Sequence, residues 1–137
     1  GLQVLYYLHR HKDVGLRYSP SDEPVAGMSD SDWAVKHSTS GHVFHYMNAA
    51  ISWASPKQPT VALSSCEAEI VAASEASKEA LAIRKLLDEL GFGDDEPTRL
   101  AVDNQSAIAV AYNPEHHSRM KHVERRHFFV RECVENL

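Results

Sequence analysis

Asp30, Glu69 and Asp103 have the residue types and the spacing for cation chemistry. Asp30 sits in a strand-like stretch, VAGMSDSDWA, and Asp103 ends another, TRLAVD. Glu69 lies in a long helical segment, within its apolar stripe. A carboxylate on a core-facing position costs free energy unless its charge is compensated. A bound divalent cation is the simplest compensation, because hard cations prefer oxygen ligands.

The helical periodicity runs over residues 64–90. At about 100° per residue, with Glu69 set at zero, Cys66, Ala73, Ala76, Ala80, Ile83, Leu87 and Leu90 fall within roughly 60° of it. Glu67, Lys78, Lys85 and Asp88 fall on the far side, and Glu75, Glu79 and Glu89 on one flank. Glu67 and Glu69 therefore point in nearly opposite directions. Glu67 reads as solvated or as a cap partner. Glu69 reads as inward, or as reaching water from the edge of the buried face.

The elements that must position these residues are legible in order. Residues 2–11 read as a short amphipathic helix, and residues 18–24 as a loop. Three strands follow, at 25–33, 40–47 and 50–55. The last two form a hairpin across Asn48 and Ala49, ended by Pro56 and Pro59. Ser64, with Glu67 three residues on, fits a capping box opening the long helix. Gly91 and Gly93 supply its stop. A fourth strand covers 99–103, a short helix 105–112, and a final amphipathic helix runs from about 122 to 134. The order βββ-α-β-α-α gives an α/β fold with a mixed sheet.

The chain of 137 residues suits one domain with one core. Its 43% hydrophobic and 24% charged residues are ordinary for a soluble protein. Two cysteines, Cys66 and Cys133, make no disulfide framework, which fits a reducing intracellular compartment. No apolar run suits a membrane span and no signal peptide is visible. A net charge of −5 argues weakly against a nucleic-acid partner, although a cation-recruiting carboxylate site adds negative charge of its own. The basic residues cluster at Arg119, Lys121, Arg125, Arg126 and Arg131. That cluster is either a solvated helix face or a phosphate-tracking patch.

Several long motifs are similar to a known family. SDSDWA, STSGHVF, ISWASPKQPTVALSSCEAEIVAASEASKEA, VDNQSAIAVAYNP and HHSRMKHVERRHFFVRE, in this order, resemble the ribonuclease H domain of Ty1/copia-type retrotransposon Pol polyproteins. The opening VLYYLHRHKDVGLRYS resembles the segment that joins reverse transcriptase to that domain. The resemblance thus divides the chain into residues 1–20, a connection tail, and 21–137, a ribonuclease H-like domain.

The resemblance implies a ribonuclease H-like fold, a five-stranded mixed sheet flanked by helices. It implies four carboxylates around two Mg²⁺ ions, with Mn²⁺ as a substitute. Asp30, Glu69 and Asp103 match the first three as catalytic and metal-binding residues, and Asp32 matches none. Two such cations about 4 Å apart clamp one scissile phosphate, one helping to deprotonate water and the other stabilising the leaving oxygen. No side-chain nucleophile is needed, so Ser64 and Ser65 read as a helix start. The implied substrate is the RNA strand of an RNA–DNA hybrid. The resemblance implies that Ser65, Cys66, Asn104 and Gln105 contact its backbone, and that 2′-hydroxyl contacts select RNA. The implied partners are that hybrid and the reverse transcriptase of the same polyprotein, with no membrane and no small-molecule cofactor. The implied setting is cytoplasmic, in a virus-like particle, with a nuclear phase open to it.

The chain departs from the family in two places. Only Val35, Lys36 and His37 separate SDSDWA from STSG, a shorter connection than usual. The sequence also stops before the family's last strand and the helix bearing the fourth carboxylate. Glu124 matches a helix ahead of that strand and is not a ligand. Weak or absent activity of residues 1–137 alone is therefore expected, with the fourth strand left as an edge. His116, His117, His122 and His127 lack a paired CxxC partner, so surface or capping roles outweigh zinc. Trp33 and Trp53 read as core or hairpin residues more simply than as base-stacking ones. Tyr6 and Tyr7 are candidates to face the polymerase. Two functional classes stand: a metal-dependent hybrid endonuclease, and a non-catalytic remnant or tether that keeps the fold and binds nucleic acid or a polymerase. An unrelated α/β binding module is the weakest reading.

Overall fold

The computed structural model describes residues 1–112 and 124–136. Their elements run α1 (Leu2–Arg10), β1 (Ala26–Asp32), β2 (Thr39–Tyr46), β3 (Ala49–Ala54), α2 (Ser65–Glu89), β4 (Arg99–Val102), α3 (Gln105–Tyr112) and α4 (Glu124–Asn136). The four strands form one mixed sheet in the order β3-β2-β1-β4. The pairs β1/β2 and β2/β3 are antiparallel, and β4 lies parallel to β1. Among the described residues β4 is a sheet edge, as expected.

Strand β1 alternates with period two, as a half-covered strand must. Gly27 and Ser29 are buried, whereas Met28, Asp30 and Asp32 are exposed. Glycine is required at position 27 because a Cβ there would collide with the ring of Phe44, which is wholly buried. The β2–β3 hairpin turns on Met47 and Asn48, both in the left-handed region with φ of 52° and 62°. Two such residues make the turn whose twist matches the strands. The expected turn, Asn48–Ala49, is thus shifted by one residue, because Ala49 is buried and already paired in β3. Three hydrogen bonds bind the incoming chain to this hairpin: Ser19 N–H to Met47 O, Tyr18 Oη–H to Ala50 O, and Asn48 Nδ2–H to Ser19 Oγ.

Helix α2 opens at Ser64, whose Oγ accepts the Glu67 N–H at 3.1 Å. The Glu67 carboxylate in turn accepts the Leu63 N–H at 2.8 Å. This is a capping box closed one residue earlier than usual. Glu67 is therefore a cap partner, but it is not solvated: only 5% of it is exposed. The residues ahead of the helix fold back over its first turn, which a helical projection of α2 alone cannot show. The helix ends on Gly91, at φ 79°, with Gly91 N–H to Asp88 O and Phe92 N–H to Leu87 O. That pair of bonds is the Schellman arrangement, and glycine supplies its left-handed residue.

The core joins Val25 and Phe44 to Ala76, Ala80 and Ile83 of α2, with Tyr46, Ile51, Leu87 and Leu100 around them. The alanines let the helix lie close to the sheet. A second cluster pairs Ile70 with Ala107, with Cys66, Val102 and Val110 against them. Helix α4 packs on α2 and α3. Three expected core positions are instead open. Leu90 lies beyond the end of the sheet's cover and is exposed, as are Trp33 and Trp53. Trp33 lies just past β1 and donates its Nε1–H to Ala62 O. Trp53 stands on the uncovered face of the sheet, opposite Val43 and, one strand further on, Met28.

Cys66 and Cys133 are free thiols. Helix α1 buries none of its residues, so Tyr6 and Tyr7 are open. No described helix is long and apolar enough to cross a membrane. His116, His117, His122, Arg119 and Lys121 lie outside the described residues, as do the side chains of Glu124, Arg125 and His127. Of the basic cluster, Arg126 donates to Thr60 Oγ1 at 3.2 Å.

Candidate metal centre

The parallel pairing of β1 with β4 builds two-thirds of the site. Ser29 stands opposite Val102 in that register. The next residue on each strand, Asp30 and Asp103, therefore lies side by side at the carboxyl ends of neighbouring strands. Asn104 then turns the chain sharply, its Oδ1 accepting the N–H groups of Ser106 and Ala107 at 3.0 Å each as the N-cap of α3. The remaining third comes from the helix layer. Helix α2 runs back along β1, with Ala76, Ala80 and Ile83 near Val25 and Phe44, and Glu69 at Ser31.

One carboxylate oxygen from each of Asp30, Glu69 and Asp103 lies within 4.8 Å of the others. The three residues singled out in the sequence thus converge, but not in equivalent surroundings. Asp30 and Asp103 are exposed, on the uncovered side of the sheet, and only Glu69 is buried. The cost of burying a carboxylate applies to Glu69 alone. Asp32 shares the exposed face of β1 with Asp30 and stands outside the cluster.

The two oxygens of Glu69 differ. Oε1 accepts the Ser31 hydroxyl at 2.8 Å and the Ser31 N–H at 3.2 Å. Oε2 is buried and meets no donor among the described residues. Leaving a buried acceptor unmatched costs about 1–3 kcal/mol, and more when it is charged. Burial pushes the Glu69 carboxyl above its ordinary value, the two Ser31 hydrogen bonds pull it down, and the charges of Asp30 and Asp103 push it up again. A divalent cation removes both penalties at once. It matches the orphaned oxygen and neutralises the mutual repulsion, so the donor set fits a hard, oxygen-seeking ion.

An open cleft of about 510 Å³ extends from the carboxylates over the uncovered sheet face, past Met28, Val43, Ala54 and Ala101. A buried polar link holds β2 against the start of α2. Gln58, 2% exposed, donates through Nε2 to Ser40 Oγ and to Ala68 O, both at 2.9 Å. Neither Gln58 nor Ser31 stood out in the sequence, since neither type signals a position by periodicity. Of the expected substrate contacts, Ser65 and Gln105 are exposed. Cys66 is half-buried and packs toward Ile70 and Ala107, and burial with the charges of Glu69 and Glu67 pushes its thiol up.

Fold and site together define a mixed α/β domain with a three-carboxylate, cation-suited cleft at the carboxyl ends of two parallel strands. Comparison with known proteins places this domain in context. The chain is 36% identical over 137 residues to the retrovirus-related Pol polyprotein from transposon TNT 1-94 of Nicotiana tabacum, covering 97% of this chain and 10% of that protein. It is 35% identical over 139 residues to the retrovirus-related Pol polyprotein from transposon RE2 of Arabidopsis thaliana, covering 98% of this chain and 10% of that one. It is also 43% identical over 84 residues to the secreted RxLR effector protein 161 of Plasmopara viticola, covering 58% of this chain and 59% of that protein. No protein-family model matches the chain. The chain is thus homologous, over nearly its whole length, to a segment of retrovirus-related Pol polyproteins of transposons, and spans about a tenth of their length.

Proposed function

We propose that this chain is a ribonuclease H-like domain whose carboxylates bind Mg²⁺ or Mn²⁺ and cleave the RNA strand of an RNA–DNA hybrid during retrotransposon reverse transcription. One observation carries the reading: three carboxylates, from two strands and a helix, meet within 4.8 Å, and one has a buried oxygen unmatched among the described residues. The mixed four-stranded sheet and the homology to Pol polyproteins support it.

Asp30, Asp103 and Glu69 Oε2 would hold the cation. The ion supplies charge stabilisation at the phosphoryl group and activation of water. The protein's own contribution is positional. Strand pairing fixes Asp30 beside Asp103, and the helix layer delivers Glu69. The open cleft admits a broad polyanionic strand. Exposure of Ser65 and Gln105 at the starts of α2 and α3 supports a role in meeting backbone phosphates, and the Asn104 amide nitrogen would serve the same use while its oxygen caps α3. The reverse transcriptase of the same polyprotein is the proposed partner in the chain's cytoplasmic, particle-bound setting.

The second reading, a fold-keeping nucleic-acid or polymerase tether, rests on two observations. The described residues gather three carboxylates, one fewer than two-ion cleavage uses in the family that the chain resembles. Part of the chain also recurs in a protein named as a secreted effector rather than a polyprotein. A fluorescent hybrid-cleavage assay, titrated with Mg²⁺ and Mn²⁺ and run beside Asp103→Asn, separates the two. Metal-dependent cleavage lost in Asp103→Asn supports the enzyme. Hybrid binding without cleavage supports the tether.

A further inference from the structure

We infer that Ser31 is the positioning residue of the centre: its hydroxyl ties down one oxygen of Glu69 so that the other is presented to the cation. The inference rests on the proposed metal site and adds a residue that neither the acidic pattern nor the homology assigns.

The geometry is asymmetric in a way that packing alone does not require. Ser31 directs two donors, Oγ–H and N–H, to the same oxygen, Glu69 Oε1. The same N–H also reaches Asp30 Oδ1 at 2.8 Å. One residue thus couples two carboxylates that would otherwise repel. With Oε1 occupied, rotation of the Glu69 carboxylate is stopped, and Oε2 is left buried without a donor among the described residues. A free carboxylate would swing to share the available donors between its oxygens. This one is held in a single orientation, which is the state a monodentate ligand needs before the ion arrives. Ser31 occupies the helix-facing side of β1, between Ser29 and the end of the strand, so the hydroxyl reaches across the layer boundary.

Three variants test this in the purified 137-residue chain, with Mn²⁺ binding read by electron paramagnetic resonance and metal-free thermal unfolding read alongside. Ser31→Ala keeps the backbone N–H and removes only the hydroxyl. It is expected to weaken Mn²⁺ binding by about tenfold or more, the range for ligand-orienting partners, with a metal-free transition lowered by the lost hydrogen bond but still cooperative. Ser31→Thr restores the hydroxyl on a strand-compatible side chain and is expected to restore most of the affinity. Ser29→Ala removes a hydroxyl from the same strand face that touches no carboxylate, and is expected to leave binding unchanged. Wild-type binding that Ser31→Ala leaves intact overturns the inference alone. Equal losses in Ser29→Ala and Ser31→Ala, or no recovery in Ser31→Thr, also overturn it, because the effect is then general strand damage. A wild-type chain that binds no Mn²⁺ overturns the metal site and this inference together.

Discussion

Glu67 and Glu69, two residues apart on α2, are both buried, and each commits its charge to a different neighbour: Glu67 to the Leu63 N–H ahead of the helix, Glu69 to Ser31 on β1. One caps and the other serves the cleft. Glu67→Ala should therefore lower stability by about 1–2 kcal/mol, the upper range for lost caps, and leave Mn²⁺ affinity unchanged. Glu69→Gln should do the reverse. It abolishes Mn²⁺ binding and raises metal-free stability by on the order of 1 kcal/mol, because a charge with an unmatched oxygen leaves the interior. Chemical denaturation of both variants, with and without Mn²⁺, measures the pair. Matching stability losses in the two would contradict the division of roles.

The raised Glu69 carboxyl sets a pH dependence. Its folded value lies above the ordinary glutamate value of 4.5, first because of burial. The folded chain then holds the proton more tightly than the unfolded chain does. The stabilisation is fully present below the unfolded value and is lost as pH rises through the folded one. Metal-free wild type should lose stability relative to Glu69→Gln across that rise, and saturating Mg²⁺ should cancel the loss. Cation affinity should climb over the same window as the proton leaves. Wild-type and Glu69→Gln unfolding curves that stay parallel from acid to neutral pH would rule this out.

Cys66 reports on the same charges from outside the cluster. Burial raises its thiol pKa first, and the charges of Glu69 and Glu67 add to the rise. Less thiolate means slower alkylation at a given pH. Iodoacetamide labelling at mildly alkaline pH should be slow in wild type. It should quicken in Glu69→Gln, and in wild type once Mn²⁺ offsets the carboxylates. Labelling rates indifferent to both changes would show that those charges do not reach the thiol.

The left-handed turn gives a stability gain. Met47 holds φ 52° with a full side chain, whereas Asn tolerates that region far better. Met47→Asn, with Asn48 and its bond to Ser19 kept, should raise stability by about 0.5–1 kcal/mol without altering the site. At the opposite extreme, Gly27→Ala drives a methyl into the Phe44 ring and should cost about 1–3 kcal/mol. Thermal unfolding of the two variants should move in opposite directions.

Much of this architecture is legible in the chain itself. Short alternating runs bounded by turn residues locate β1 to β4 within a residue or two, because half-covered strands leave a period-two trace. The start of α3 falls at 105 in both views, since Asn104 is a strong cap. The acidic trio is legible because Glu69 breaks an apolar stripe. What escapes the sequence depends on neighbours distant along the chain. Glu67 reads as solvated or as a cap partner, and only the residues before α2, closing over it, decide for a buried cap. Met47 carries no turn signal and takes its conformation because Ala49 is needed in β3. Trp33 and Trp53 have core-like side chains, but nothing among the described residues covers the face where Trp53 stands. Ser31 is small and polar on a strand, and its importance arises only once α2 is laid against it.

The centre straddles the sheet. Asp30 and Asp103 stand on its open side, while Glu69 is delivered from the packed side, past the ends of the strands. A slip of α2 by one turn along β1 would carry the third carboxylate about 5 Å away. Cation binding at the proposed centre would therefore gauge interlayer alignment. A chain can look fully folded by its helix content and still be blind to metal.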